Sequence, residues 1–342
     1  MLTQTPTLLA DIGGTNARFA LCAAASSSAA HELSHCESLR CADFASLHAA
    51  IQAYLQHSRQ QGAPAPRQAC LAVAAATDQD TIQLTNNPWQ FSQQALADAL
   101  QIPLSVINDF TAQAWCLPTL QEPDLIWLQR PPTLSSPWDG SWSRGSRCIA
   151  GPGTGFGAAT MTLGGEVLES EPGQVAFAPL TPQQQQILNH LWQYLPRVSP
   201  DNVLSGPGLG NLHAALTALA AADQTDPKPH WSAAEIVAAA AKGDLTAREA
   251  VTEFNRILGA VCGDLALLMG SSGGFFLSGA MLTKMGSLFD HQVFIAAFND
   301  KGAFCDWCQR VPVALLGIND PGLRGCAVYA QRKPAAVLPG KR

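Results

Sequence analysis

Leu8-Leu9-Ala10-Asp11-Ile12-Gly13-Gly14-Thr15-Asn16-Ala17-Arg18-Phe19-Ala20-Leu21 decides how the rest of this chain is read. Two extended apolar runs flank a Gly13-Gly14 turn. Glycine admits positive φ and lets a ligand come close to the backbone. Successive N–H groups in such a turn form a concavity for an anion. Thr15 adds a donor for a phosphate oxygen, or a seat for a metal-bound water. Asp11, beside the turn, is placed to hold a metal's water shell. An ordinary hairpin has the same look, so the segment needs company.

Working outward, the same pattern returns twice. A strand from Arg147 runs into Gly151-Pro152-Gly153-Thr154-Gly155, and a strand over 275–277 enters Ser278-Gly279-Ala280. Two Thr-bearing turns in successive halves of one chain favour phosphate over plain hairpins. Other glycine signatures fail. No G-x-x-x-x-G-K-[ST] occurs, nor a G-x-G-x-x-G with an acid about 20 residues on. Gly270-Ser271-Ser272-Gly273-Gly274 matches G-x-S-x-G, but a helical pattern precedes it and a strand follows. A nucleophile elbow needs the reverse order.

The segments between these turns alternate in period. From Asp43 as N-cap, Phe44, Leu47, Ile51, Tyr54 and Leu55 fall at helical spacing, and Gly62 ends the pattern. Residues 68–75 read as a buried strand, and Ser92 caps a helix carrying Leu96 and Leu100. Leu104 to Asn108 is a strand that ends at Asp109 and leads into a helix. Residues 117–146, rich in Pro, Ser, Trp and Gly, predict a long loop. Strands follow over 158–163, 167–169 and 311–316, and helices over 182–195, 209–222, 233–241, 246–269 and 321–330. Residues 23–30 read as a small-residue loop and 333–342 as a loose tail, and no fixed-period repeat is visible. Strands alternating with helices give an α/β class.

Two carboxylate positions matter most. Asp109, after Asn108, sits where a strand ends, which in α/β folds faces a crevice. Asn donates and accepts while an ionised Asp only accepts, so the pair suits vicinal hydroxyls of a sugar. The alternative is that Asp109 merely caps the next helix. Glu169 and Glu171 flank a strand end ahead of Pro172-Gly173, where either also reads as a solvated charge. For phosphoryl transfer these parts suffice, because the loose transition state is served by positioning and charge. Asp109 would be the base and Asp11 the metal-side carboxylate.

Composition bounds the rest. With 342 residues, two domains are expected. The chain is 47% apolar and 13% charged, which excludes a disordered chain. The net charge of −6 supplies no basic field for nucleic acid or an anionic membrane. The N-terminal segment lacks a basic n-region and no apolar window is long enough to span, so a cytoplasmic protein is expected. Ten cysteines are scattered, with Cys70, Cys148 and Cys262 in apolar stretches, so core thiols are expected rather than a disulfide framework. Cys305 and Cys308 form one C-x-x-C without a second ligand pair nearby for zinc.

Together, residues 11–18 (DIGGTNAR), 85–89 (TNNPW), 107–111 (INDFT), 151–157 (GPGTGFG), 203–209 (VLSGPGL), 277–280 (LSGA) and 319–325 (NDPGLRG) resemble the bacterial glucokinase family in content and order. The resemblance implies a two-domain, actin-like (RNase H-like) ATPase fold with a cleft between α/β domains. It places the small domain at 1–115 plus about 318–342 and the large one at 116–317, with a hinge near 111–120. It implies ATP with Mg²⁺, glucose phosphorylated at its 6-hydroxyl, and a homodimer. By motif, Asp109 resembles the general base and Asn108 a sugar ligand. Asp11, Gly13, Gly14, Thr15 and Asn16 resemble the first phosphate turn, and Gly153, Thr154 and Gly155 the second. Asp11 would meet Mg²⁺ through water, and Gly279 would lie near the adenosine. Glu171 corresponds to the family's sugar-binding Glu.

Two departures follow. The family's Glu-Gly-Gly-His reads Glu171-Pro172-Gly173-Gln174 here. A second sugar-contacting Glu, counted back from Val203, falls near Tyr194. A site built around hydroxyls discriminates strongly when a partner is missing, so weak glucose affinity is expected. Three readings compete: a glucokinase, a kinase for another hexose or amino sugar, and a non-catalytic sugar or nucleotide sensor on the same fold. Fold alone does not separate them. Asp109 with both phosphate turns argues against the sensor, since a binder needs no base.

Overall fold

A computed structural model describes residues 6–23, 32–84, 87–132, 134, 138, 145–220 and 231–333. In chain order the first half contains β1 (Thr7–Ile12), β2 (Asn16–Cys22), β3 (Leu33–Arg40), α1 (Leu47–Gln60), β4 (Gln68–Val73), β5 (Thr81–Gln83) and β6 (Gln90–Ser92). It continues with α2 (Gln93–Leu100), β7 (Leu104–Asn108) and α3 (Asp109–Cys116). Then come β8 (Leu125–Gln129), β9 (Arg147–Pro152), β10 (Phe156–Met161), β11 (Val167–Ser170), α4 (Pro182–Leu191), α5 (Gly206–Ala220), α6 (Ala233–Ala241) and α7 (Leu245–Leu268). The last elements are β12 (Phe275–Leu277), α8 (Ala280–Met285), α9 (His291–Asn299), α10 (Cys305–Gln309), β13 (Val313–Leu316) and α11 (Pro321–Arg332).

The strands build two large sheets, β3-β2-β1-β4-β7 and β11-β10-β9-β12-β13-β8. Both follow one plan. An antiparallel meander (β1, β2, β3 or β9, β10, β11) continues into two parallel strands. In each, a glycine turn joins the first hairpin. The fold thus carries a duplication that no sequence period announces.

Burial follows the two-residue alternation of the strands. Leu8, Ala10 and Ile12 face α1 and α2 in one core, while Leu9 faces a second core with Leu323, Cys326 and Ala327 of α11. In the other sheet, Cys148, Ala150, Phe275 and Leu277 pack on α4 to α9. Ile149, Phe276 and Ala314 face Trp115 of α3 and Val328 of α11 on the reverse side. Helices α3 and α11 therefore fill the space between the sheets. They cross so closely that a Cβ at Gly325 would run into the Ala112 carbonyl.

Three expectations change. The cap at Asp43 is replaced: residues 41–43 form a 3-10 turn, and Ser46 caps α1 by accepting from Ala49 N–H at 3.1 Å. The loop over 117–146 contains β8, an edge strand that pairs antiparallel with β13. Beyond those read from sequence, α8, α9 and α10 are also helical. The cysteines in the described residues are free, and Cys70, Cys148 and Cys262 are buried. The loop at 23–30 and the tail at 333–342 lie outside the described residues, except for Ala23 and Lys333. Among the described residues no helix is long and apolar enough to cross a membrane.

Candidate active site

The parallel strands of both sheets point their carboxyl ends at one cleft of about 660 Å³. Open α/β sheets bind ligands at such ends. Asp11, Gly13, Gly14, Asn108 and Asp109 line the cleft from one sheet, and Gly153, Thr154, Gly155 and Gly279 from the other. Glu171, Gln174 and Asp201 close it at one side. Thr15 and Asn16 do not line the cleft; their carbonyls instead hold the first turn, Asn16 O accepting from Gly13 N–H at 3.0 Å and Thr15 O from Cys41 N–H at 2.9 Å.

Asn87 buttresses that turn from outside. It is buried, and its Nδ2 donates to Gly13 O at 3.2 Å. Thr85 and Asn86, from the same sequence motif, lie outside the described residues. In the second turn, Gly153 N–H donates to Gly155 O at 2.7 Å. Gly279 adopts φ +132°, and a Cβ there would sit 2.6 Å from Pro152 O, so the position requires glycine.

Asn108 caps α3: its Oδ1 accepts from Phe110 N–H at 2.9 Å and Thr111 N–H at 3.2 Å. Asp109 begins the helix and also accepts from Phe110 N–H at 2.9 Å. Burial, then the nearby charges of Asp11 and Glu171, push its carboxyl up to about 7, against the pull of the Phe110 N–H. A carboxyl near neutrality in a cleft is suited to take a proton.

Asp11 is raised by burial and by Asp320, while Arg18 opposes the shift. Arg18 lies opposite Asp11 across the β1–β2 ladder and bridges Asp11 at 3.6 Å and Asp320 at 3.3 Å. Asp320 stands at φ +52° just before α11, and Gly322 has no side chain to crowd the Asp11 carboxylate. Among the described residues no group of three His, Cys, Asp or Glu side chains is gathered to hold a metal. One half-buried carboxylate beside a glycine turn would fit Mg²⁺, which keeps most of its waters and rides on substrate phosphates.

Glu171 is raised by burial, then by Asp201 and Glu169. Tyr194 is 49% exposed, stacks edge-on against His190 and does not line the cleft. The acid that lines the cleft ahead of Val203 is Asp201, in a 3-10 turn over Pro200–Asn202. Gln174 Nε2 donates to Asp201 Oδ2 at 2.8 Å. The expectation at Tyr194 is corrected accordingly: that side chain lies outside the cleft, and the acids lining the cleft there are Glu171 and Asp201. Gln113, one turn along α3 from Asp109, also lines the cleft; an amide on a helix face gave no signal in sequence.

Residues 8–333 match the family model described as Glucokinase. The chain belongs to the glucokinase family. It is 38% identical over 325 residues to the glucokinase of Chromohalobacter salexigens, covering 94% of this chain and 96% of that one. It superimposes on a crystal structure of glucokinase from an Antarctic psychrotroph with TM-score 0.80 and 33% identity, covering 96% of this chain and 99% of that one. A glucokinase from Balamuthia mandrillaris, solved in complex with glucose, shares the fold at TM-score 0.71 and 20% identity, covering 96% and 94%. The two-sheet plan with helices α3 and α11 between is that of the actin-like ATPases, as the glucokinase and sugar-kinase neighbours share it.

Proposed function

We propose that this chain transfers the terminal phosphoryl group of ATP to the 6-hydroxyl of glucose, with Asp109 as general base. One observation carries the reading: the half-buried Asp109 carboxyl stands at a strand end and lines one cleft together with two glycine turns. Asp109 takes the hydroxyl proton as the sugar oxygen bonds to phosphorus and the bond to ADP breaks. Asn108 and Glu171 orient the sugar, and the 13–14 and 153–155 turns direct N–H groups at the phosphates. Mg²⁺, held through water on Asp11, would supply positive charge to the phosphate oxygens. Such a division of labour is what a loose phosphoryl transition state asks of a protein. Gly279 would border the adenosine.

A coupled ADP-release assay with Mg-ATP across a hexose panel tests the reading. Turnover with glucose that Asp109→Asn removes is the expected result. A second reading, another hexose or an amino sugar as preferred substrate, rests on Gln174 and is an outcome of the same panel; activity on none would favour a sensor. The domain limits 1–115 plus 318–342 and 116–317, a homodimer and a cytoplasmic location rest on the family resemblance. Light scattering on the purified chain tests the dimer.

A further inference from the structure

Phe110, the residue after Asp109, puts its ring where Gly157 has no side chain. A Cβ at Gly157 would overlap the ring edge at Cδ2 and Cε2. Gly157 lies on β10 just past the second glycine turn, Phe110 lies in the first turn of α3, and both line the cleft. The ring also packs on the core between the sheets that holds Trp115, Ala159 and Phe276. At its other end, Phe110 N–H donates to the Asp109 carboxylate at 2.9 Å and to Asn108 Oδ1 at 2.9 Å. One residue therefore meets the β10 backbone with its ring and holds the Asp109 carboxylate with its N–H. Across the β9–β10 ladder Gly157 pairs with Gly151, where a Cβ would overlap Ser278 O. Ser278 N–H in turn donates to Ala150 O at 2.9 Å. The hairpin that carries the 153–155 turn is thus seated on the Phe110 ring at one strand and on the Ser278 backbone at the other.

We propose that Phe110 is a positioning residue: its ring, seated in the notch at Gly157, fixes how far the Asp109 carboxylate stands from the second glycine turn. This rests on the sugar-kinase reading above. Asp109 and the 153–155 turn belong to different sheets, yet the reacting hydroxyl must meet the base and the phosphorus at once. Such a constellation must hold to about 0.5 Å. A ring pressed on backbone is a stiff spacer, because packed groups resist compression. A methyl added at Gly157 pushes the ring, and with it the Phe110 N–H and the carboxylate it holds. A smaller side chain at position 110 leaves the gap unset.

The test is a kinetic and calorimetric comparison of four full-length chains: wild type, Gly157→Ala, Phe110→Leu and the double variant. Gly157→Ala should lower kcat by about tenfold to a hundredfold. Its glucose KM, and its Kd for a non-hydrolysable ATP analogue with Mg²⁺, should move by less than about threefold, the mark of an interaction realised in the transition state. Phe110→Leu should show the same split. In the double variant leucine gives way to the new methyl, so kcat should rise above that of either single variant. Unchanged kcat in both single variants, losses shared equally by kcat and the nucleotide Kd, or a double variant no faster than the slower single would each overturn the proposal. Should Gly157→Ala not fold, the split in Phe110→Leu decides alone. Absence of glucose phosphorylation by the wild type would instead strike the kinase reading, so the two failures are distinct.

Discussion

Asn108 takes the cap of α3 and so frees one oxygen of Asp109 for the cleft. The cap bonds run from Phe110 and Thr111 N–H to Asn108 Oδ1 at 2.9 and 3.2 Å. Asp109 holds a single bond of 2.9 Å to Phe110 N–H. The neighbouring pair divides two tasks that either side chain alone would have to combine. Asn108→Ala should cost about 1 kcal/mol of stability through the lost cap. It should also raise the glucose KM, since Asp109 is then drawn to the helix terminus. Urea melts and steady-state kinetics on one preparation check both.

Asp109→Asn should lower kcat by about 10²–10⁴-fold, the usual worth of a positioned base. Nucleotide affinity should hardly change. The same variant should melt at a higher temperature, by about 1–2 kcal/mol of added stability at pH 7, because it removes a buried charge that sits near Asp11 and Glu171. Calorimetry and a coupled assay would detect a variant that kept its rate or lost stability.

The pH dependence has two opposite signs. As a base, Asp109 must be ionised, so kcat/KM should rise about tenfold per pH unit up to about 7 and then level off. For stability, the folded state holds its proton above the pH at which the unfolded chain releases it. The Asp109 contribution is therefore complete below the usual carboxylate range and is lost as pH rises towards about 7. The stability gap between wild type and Asp109→Asn should widen from pH 4 to pH 7 in urea melts. A gap independent of pH would place Asp109 in water.

Tyr194→Ala should change glucose KM and stability by no more than about 0.5 kcal/mol, as for an exposed side chain remote from the chemistry. A large loss of glucose affinity would return Tyr194 to the sugar site.

Gly325→Val should destabilise by about 3 kcal/mol, since the new side chain must push α11 off the Ala112 carbonyl. A shifted urea midpoint with unchanged slope is the expected signature.

What was legible in the sequence had a local cause. The glycine turns and the strand-end position of Asp109 needed only flanking residues to be seen. β8 was hidden because Leu125 to Gln129 is an edge strand with little alternation, set among Pro-rich turns. β3 is half exposed along its length and so carries a weak apolar signal. Asp201 was missed because counting along the chain ignores how the Pro200–Asn202 turn folds back into the cleft. The duplication of the two sheets is a matter of pairing order, which local periodicity does not report.

The close fit of α11 has a consequence for biosynthesis. Leu9, Cys70 and Ile107 are covered by Leu323 and Cys326, which leave the ribosome some two hundred to three hundred residues later. Until then the inner face of the first sheet is covered only in part, by Ala112 of α3, although synthesis proceeds from the N-terminus and domains tend to fold as they emerge. A nascent chain arrested before residue 321 should accordingly bind a hydrophobic dye or a holdase chaperone, and release it once that final helix arrives.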